Sequence, residues 1–207
     1  ISYWTAYLKA HFPDAFMAAL MTSDADDIDR LAIEITECRH MGIEVLPPDI
    51  NESFADFSVV PGKQTIRFGL TTIKNFGEGI SEAIIEERKT NGRFASLQDF
   101  LTRVKNRNLN KKSLEALIMV GAFDAMDERG HLLANVDLML AFNREQVASA
   151  ESAQDSLFGL GGNSVSNLSL IPAPAATKAE KLIWEKDLLG IYVSGHPLDD
   201  YAAEVEK

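Results

Sequence analysis

The chain has 207 residues, of which 46% are hydrophobic, so it is long and apolar enough to bury a sizeable core. Its 20 lysines and arginines stand against 31 aspartates and glutamates, which gives a formal net charge of −11. One cysteine, Cys38, excludes a disulfide framework, and four scattered histidines without partners at metal-ligand spacing argue against a structural metal. No signal peptide or membrane-spanning apolar run is present, so we expect a cytoplasmic protein without membrane contact.

Helices are predicted over the first 42 residues. Apolar spacing predicts one helix near 3–12, a second over 15–22 with Asp14 as its cap, and a third that ends at Gly42. The third helix carries Cys38 on its apolar stripe, where we expect a buried free thiol. The aromatic residues near the start are expected to serve packing rather than base stacking: Tyr3, Trp4, Tyr7 and Phe12.

Extended structure is predicted in the next part of the chain. A short extended stretch near 43–46 comes first, and residues 57–59 and 66–68 then flank a Pro61-Gly62 turn and should pair as a small β-hairpin. Further along the chain, apolar spacing predicts helices near 131–150 and 178–190.

A tight turn before the next helix carries most information about function. Asn75, Phe76 and Gly77 have the small–hydrophobic–small form of a helix-hairpin-helix, since Asn and Gly favour positive φ and Phe76 can lie between two helices. The second helix would expose its first N–H groups, with Gly79 leaving access and Lys74 adding a cation. Such a terminus binds a phosphate. The alternative is a helix corner whose glycines serve only packing.

The charge around this turn differs from the rest of the chain. Residues 63–112 hold 11 basic and five acidic side chains, a net charge of +6, so the remainder carries −17. A basic stretch within an acidic protein is typical of a phosphate-binding face.

A second hairpin is predicted directly after the first. Residues 94–104 form a helix capped near Ser96, and Asn110 caps another helix that runs through Val120 and ends at Gly121. Two hairpins in tandem, packed about a pseudo-twofold axis, would hold both strands of a duplex through the backbone, without sequence readout. The predicted fold is therefore mainly α, a helical bundle with a tandem helix-hairpin-helix unit and a small β-hairpin. The second hairpin adds four candidate DNA contacts: Arg107, Asn110, Lys111 and Lys112.

A series of short motifs, in order along the chain, resembles the alpha subunit of bacterial DNA polymerase III, a replicative DNA-directed DNA polymerase of the C family. The resemblance covers nearly the whole chain and leaves out chiefly residues 125–150 and 160–178. Besides the hairpin, the motifs lie at residues 7–13, 16–20, 37–43, 46–51, 110–112, 121–124, 188–190 and 194–198.

The resemblance implies a fragment that contains no catalytic residue. In this family the carboxylates that hold two metal ions lie in a palm domain upstream of the matched region, so this chain needs no cofactor, whereas the whole enzyme is expected to use Mg²⁺. The implied partners are double-stranded DNA, the sliding clamp and other replicase subunits. The implied divisions are 1–60, the end of the fingers; 61–124, the tandem DNA-binding hairpins; 125–162, a helix with a clamp-binding motif; 163–177, a linker; and 178–207, the helical approach to an oligonucleotide/oligosaccharide-binding domain.

The clamp-binding motif is a pentapeptide that resembles those that dock into the cleft of the ring-shaped sliding clamp. Leu157 and Phe158 are adjacent apolar anchors, and the small and polar residues around them are typical of a flexible linker. The alternative is a helix end that folds back on the core. The pentapeptide consists of Gln154, Asp155, Ser156, Leu157 and Phe158.

Three functions remain open on the sequence alone. The first is a non-catalytic piece of a replicative polymerase that grips duplex DNA and tethers it to the clamp. The second is a partner-binding module in which the hairpins are only structural. The third is the error-prone paralogue in the same family.

Overall fold

A computed structural model describes residues 2–106, 108–155, 167–195 and 197–198, with the backbone alone over 149–155. This part of the chain contains nine α-helices and one three-stranded sheet, so the mainly α prediction is confirmed. The helices are α1 (Ser2–His11), α2 (Pro13–Ser23), α3 (Ile28–His40), α4 (Glu78–Asn91), α5 (Leu97–Arg103), α6 (Lys111–Met119), α7 (Arg129–Ala134), α8 (Val136–Asp155) and α9 (Lys178–Leu189). The strands are β1 (Glu44–Leu46), β2 (Ser58–Val59) and β3 (Thr65–Arg67).

The first three helices follow the sequence pattern, with one correction at the start of α2. Pro13 occupies the first turn and no side chain caps the helix, so the prediction that Asp14 is the cap was wrong. Proline suits the first helical position because its φ is already helical and the N–H that it lacks would be unpaired there. After α3, Gly42 adopts φ +72°, which agrees with its predicted role as the stop.

The sheet contains the predicted hairpin and one additional strand. β2 pairs with β3 in antiparallel orientation, with Val59 opposite Ile66, and Gly62 takes φ +76° in the connecting turn. β1 pairs with the other edge of β3 in parallel, with Val45 beside Ile66. This second pairing was not predicted, because alternation of side chains marks a strand and does not identify its neighbour.

The predicted helix over 131–150 is two helices, α7 and α8, separated at Asn135. The Asn135 side chain is buried and donates to the carbonyl oxygens of His131 (2.8 Å) and Ile171 (2.9 Å), while its Oδ1 accepts the N–H of Ile171 (2.8 Å). An asparagine amide that bonds to the backbone competes with the helical ladder. Here it also holds part of the predicted linker against the protein.

Residues 167–177 contain no helix or strand but are attached to the protein by hydrogen bonds. The Ala176 N–H lies 3.1 Å from both carboxylate oxygens of Glu128, and Lys181 pairs with the same carboxylate at 2.8 Å. Burial would raise the pKa of Glu128, but the bonds from Lys181 and from backbone N–H groups outweigh it and lower that pKa to about 2. The division of the chain at 60, 124, 162 and 177 stays a prediction.

The hydrophobic core includes side chains from the helices and from the sheet. Phe100 is fully buried, and its ring meets Phe94 and Phe123 edge to face, with centroids 5.2 and 5.0 Å apart. Cys38 is buried as predicted, and burial raises its pKa to about 11, so the thiol stays protonated.

Helix α1 buries none of its side chains. The prediction that the first aromatic residues serve packing was wrong for this chain, because Tyr3, Trp4 and Phe12 are 72%, 67% and 54% exposed. Tyr3 and Trp4 contact each other edge to face, with ring centroids 6.1 Å apart. Among the described residues, no helix is both long and apolar enough to cross a membrane.

Candidate nucleic-acid interface

The first predicted hairpin begins with a strand and turns rather than with a helix. β3 leads into a series of turns that ends at Asn75, so the prediction that Phe76 lies between two helices was wrong. Phe76 is 5% exposed and belongs to the hydrophobic core. Asn75 has φ +66°, the positive value predicted for it, whereas Gly77 has φ −83° and serves as the N-cap of α4.

The amino terminus of α4 is open to solvent. Gly77 supplies no side chain to cap the helix, and a Cβ built there would meet nothing within 4 Å. Glu78 and Gly79 are exposed as well, so the first N–H groups of α4 face solvent along the positive end of the helix dipole. This arrangement suits an anion held by the backbone, although the Glu78 carboxylate in the first turn opposes a phosphate.

The second hairpin has the predicted form, with α5, a loop and α6. Ser96 caps α5 by accepting the N–H of Asp99, and Asn110 caps α6 by accepting the N–H of Ser113 at 3.1 Å. The Oγ of Ser113 in turn accepts the N–H of Asn110 at 2.9 Å, which completes a capping box. The side chain of Asn110, predicted to contact DNA, is therefore engaged in the helix cap.

The structure brings the two candidate termini together. The Nδ2 of Asn106, in the loop before α6, donates to the carbonyl oxygen of Gly79 in the first turn of α4, at 3.2 Å. Lys74 and Lys112 are exposed, and neither forms an ion pair within the described residues. On the other side, the N–H of Lys74 donates to the carbonyl oxygen of Leu188, so the turn rests on the end of α9.

The basic stretch is smaller on the surface than in the sequence, because three arginines bind within the protein. Arg67 pairs with Glu52 and donates to the Pro47 carbonyl oxygen, and Arg88 donates to two carbonyl oxygens at 2.8 Å. Arg103 pairs with two carboxylates. Five lysines of the stretch are exposed and form no ion pair in the described part of the chain: Lys63, Lys74, Lys89, Lys105 and Lys112.

Lys111 is exposed but paired. Its Nζ lies 2.9 and 3.0 Å from the two carboxylate oxygens of Asp137 in the first turn of α8, and this hydrogen bond raises the pKa of the lysine. A phosphate that binds Lys111 must compete with Asp137.

Several predicted site residues lie outside the described part of the chain. These are Arg107 and three members of the clamp-binding motif, Ser156, Leu157 and Phe158. Gln154 and Asp155 form the last turn of α8 by their backbone, and their side chains are also outside the description. Within the described ranges, no group of three or more His, Cys, Asp or Glu side chains is arranged to hold a metal ion.

Comparison with known proteins agrees with the geometry. Residues 42–132 match the family described as helix-hairpin-helix motif, and this range contains both hairpins. Over its full length the chain is 45% identical to the DNA polymerase III subunit alpha of Neisseria meningitidis serogroup A. The chain is homologous to a segment of DNA polymerase III subunit alpha. It covers 18% of the Neisseria protein, and 97% of the chain matches 16% of the Thermus aquaticus subunit at 44% identity.

A further bacterial relative has the same coverage. The DNA polymerase III subunit alpha of Aquifex aeolicus is 43% identical over 97% of the chain, which again spans 16% of that protein. The recognition made from the short motifs is therefore confirmed, and the chain spans less than a fifth of the length of these polymerase subunits.

Sequence reasoning missed two residues of this interface. Asn106 joins the two hairpins by a hydrogen bond, and the Asp137 carboxylate forms an ion pair with Lys111. The loop around Asn106 is rich in asparagine, which indicates side-chain bonds to the backbone without showing the partner. No local signal connects Asp137 with Lys111, because 26 residues separate them.

Proposed function

We propose that this chain is a non-catalytic segment of a replicative DNA polymerase alpha subunit that holds double-stranded DNA by its backbone and links it to the sliding clamp. The observation that carries the DNA part is the uncapped, solvent-facing amino terminus of α4 beside the loop that leads into α6. Backbone N–H groups and lysines recognise phosphate and not bases, so we expect binding without sequence preference.

A salt titration of DNA binding tests this proposal. With roughly three to five phosphate contacts, the logarithm of the binding constant should fall against the logarithm of salt concentration with a slope of about −3 to −5. Fluorescence anisotropy of the chain with a short labelled duplex measures this slope. Two duplexes of unrelated sequence should give the same affinity.

Charge variants locate the contact. Replacing Lys111 and Lys112 by alanine should weaken binding and flatten the slope by up to about two units. The matched control replaces Lys63 and Lys89, two exposed lysines of the same basic stretch; Lys89 lies roughly 17 Å along α4 from its first turn. We expect the control to change the slope less. Equal effects would place the DNA elsewhere, and no binding by the unmodified chain would favour the partner-binding module.

The clamp part of the proposal rests on the sequence of Gln154 to Phe158 and on the polymerase family. Burying Leu157 and Phe158 in a preformed cleft would contribute about 3–6 kcal/mol before ordering costs. A weak to moderate affinity of around micromolar needs about 8 kcal/mol, so other contacts of the pentapeptide must add to these two anchors. Such an affinity permits release when synthesis ends.

A double variant tests the clamp part. Changing Leu157 and Phe158 to alanine should abolish binding to the clamp in a calorimetric titration, while helical content and DNA affinity stay nearly unchanged. If clamp binding survived, the motif would be only a surface segment. If the variant lost folding stability instead, both residues would belong to the core. Clamp binding would also favour the replicative subunit over the error-prone paralogue.

The remaining parts of the proposal concern the whole protein. DNA synthesis, its Mg²⁺ requirement and contacts with other replicase subunits are proposed for the full polymerase and not for this segment. A cytoplasmic location follows from the same proposal.

A further inference from the structure

One side chain joins the two candidate phosphate-binding turns. The Nδ2 of Asn106 donates to the carbonyl oxygen of Gly79 at 3.2 Å, and its Oδ1 accepts the N–H of Asn108 at 2.8 Å. In the described part of the chain, the bond from Asn106 is the only side-chain hydrogen bond between the first turn of α4 and the second hairpin. Asn106 therefore belongs to both hairpins.

The hydrogen bonds continue from this loop to the cap of α6. The carbonyl oxygen of Asn108 accepts hydrogen bonds from the N–H of Asn110 at 2.9 Å and from the hydroxyl of Ser113 at 2.8 Å. The approach to α4 is close, since a Cβ on Gly79 would lie 3.0 Å from the Nδ2 of Asn108. A continuous series of bonds thus runs from the first turn of α4 to the capping box of α6.

A different residue fixes the other end of α4. Arg103 of α5 pairs with Glu87 at 2.9 Å and donates to the carbonyl oxygen of Gly92 at 2.8 Å. Glu87 lies about 12 Å along the helix from Gly79, at 1.5 Å per residue. Arg103 therefore anchors the carboxyl-terminal half of α4, and the hydrogen bond that anchors its first turn comes from Asn106.

We propose that Asn106 is a positioning residue that holds the amino-terminal turns of α4 and α6 at a fixed separation, so that both contact the sugar-phosphate backbone of one duplex at once. The inference rests on the proposed function. Asn106 acts through Gly79 and through the cap at Asn110, and it need not touch the nucleic acid. Two turns held rigidly together lose less conformational freedom on binding than two turns that move independently.

The test measures duplex binding by anisotropy for the unmodified chain and for Asn106→Ala. We expect the variant to bind about three- to tenfold more weakly, the loss that corresponds to one or two net hydrogen bonds, and to show a salt slope closer to zero by about one unit. The matched control is Asn91→Ala at the far end of α4, an exposed asparagine that donates to Glu87 at 2.7 Å. The control should stay within about twofold.

A coupling measurement separates positioning from a general structural role. Lys74→Ala and Lys112→Ala are combined in the unmodified chain and again in the Asn106→Ala background. With Asn106 present, the fold-loss of DNA affinity in the double lysine variant should differ by at least about threefold from the product of the fold-losses in the two single variants. In the Asn106→Ala background, the fold-loss of the double variant should equal that product. Independent losses in both backgrounds would overturn the inference.

Other outcomes are equally decisive. If Asn106→Ala lowers the melting temperature too far for binding measurements, the uncharged Asn106→Ser carries the test, because its hydroxyl keeps an acceptor for the N–H of Asn108 and is too short to reach the carbonyl oxygen of Gly79. Unchanged affinity and salt slope in Asn106→Ala, with binding by the unmodified chain, would overturn the inference alone. Absence of binding by the unmodified chain would overturn the proposed function, and the inference with it.

Discussion

The carboxylate of Glu185 is the best single point at which to perturb the attachment of α9 to the hairpin region. It is fully buried and accepts hydrogen bonds from Arg129 (3.0 Å) and from the N–H groups of Val193 (3.0 Å) and Ser194 (2.9 Å). Arg129 is also buried and keeps a second carboxylate partner, Asp124. Glu185 thus connects three segments: α7, α9 and the chain that follows α9.

The expected loss in the free energy of unfolding for Glu185→Ala follows from the groups that lose their hydrogen-bond or ion-pair partner. Removing one partner of a buried ion pair costs about 3–5 kcal/mol, and Asp124 offsets part of this because it still pairs with Arg129. The N–H groups of half-buried Val193 and exposed Ser194 also lose their acceptor, and because water reaches this segment each adds less than the cost of about 1–3 kcal/mol for a fully buried, unpaired group. We expect a net loss of about 3 kcal/mol, a large share of the stability of a typical domain.

Urea denaturation followed by circular dichroism measures this loss. The matched control is Asp187→Ala, an exposed acidic residue on the same helix, which should change the free energy of unfolding by less than about 0.5 kcal/mol. Combining Glu185→Leu with Arg129→Met should cost less than Glu185→Ala alone, because no charge then stays buried without its partner. A loss below about 1 kcal/mol for Glu185→Ala would refute this account of the network.

Three further predictions concern charge and packing. Asp137→Asn should tighten duplex-DNA binding about two- to fivefold in anisotropy at one fixed salt concentration, because it frees Lys111; unchanged affinity would remove Lys111 from the contact. Burial, and then the neighbouring Asp24 carboxyl, raises the pKa of Glu34 from 4.5 to about 7, so folding takes up a proton and this group's contribution to stability falls as pH rises between those values. Glu34→Gln should remove that decline from urea midpoints measured across the same pH range, and an identical pH profile would contradict the assignment. Gly69→Ala should cost about 1–3 kcal/mol or more, because a Cβ there would lie 2.2 Å from a backbone carbonyl oxygen of the neighbouring segment; an unchanged melting temperature would show that the backbones can separate.

Local features of the fold could be predicted from the sequence because short-range physics produces them. The caps at Ser96 and Asn110 and the positive φ of Asn75 depend on residues within one turn of each other. The β2–β3 pairing depends on a short connection with Gly62 in its turn. The helix break at Asn135 was missed because its cause, a bond to Ile171, lies 36 residues away.

The candidate site shows the same division. Sequence placed Lys74, Gly79 and Lys112 in one basic stretch, since composition and helix caps are readable along the chain. The sequence did not show which basic side chains already have partners within the protein. Arg67 and Arg88 donate to carbonyl oxygens of the protein, but nothing in the sequence distinguishes them from basic residues that are available to DNA. An arginine loses its availability only when folding brings carbonyl or carboxylate oxygens to it.

The sequence by itself determined the similarity to DNA polymerase III subunit alpha, the mainly helical class and the second hairpin, because motifs, side-chain spacing and helix caps depend on residues close in the chain. Only the tertiary structure decided that a hydrogen bond from Asn106 joins the hairpins, that Asp137 forms an ion pair with Lys111 and that the buried ion pair of Glu185 with Arg129 anchors α9. The physical reason is that a hydrogen bond or an ion pair requires two groups within about 3 Å, and folding alone sets that distance for residues far apart in the chain.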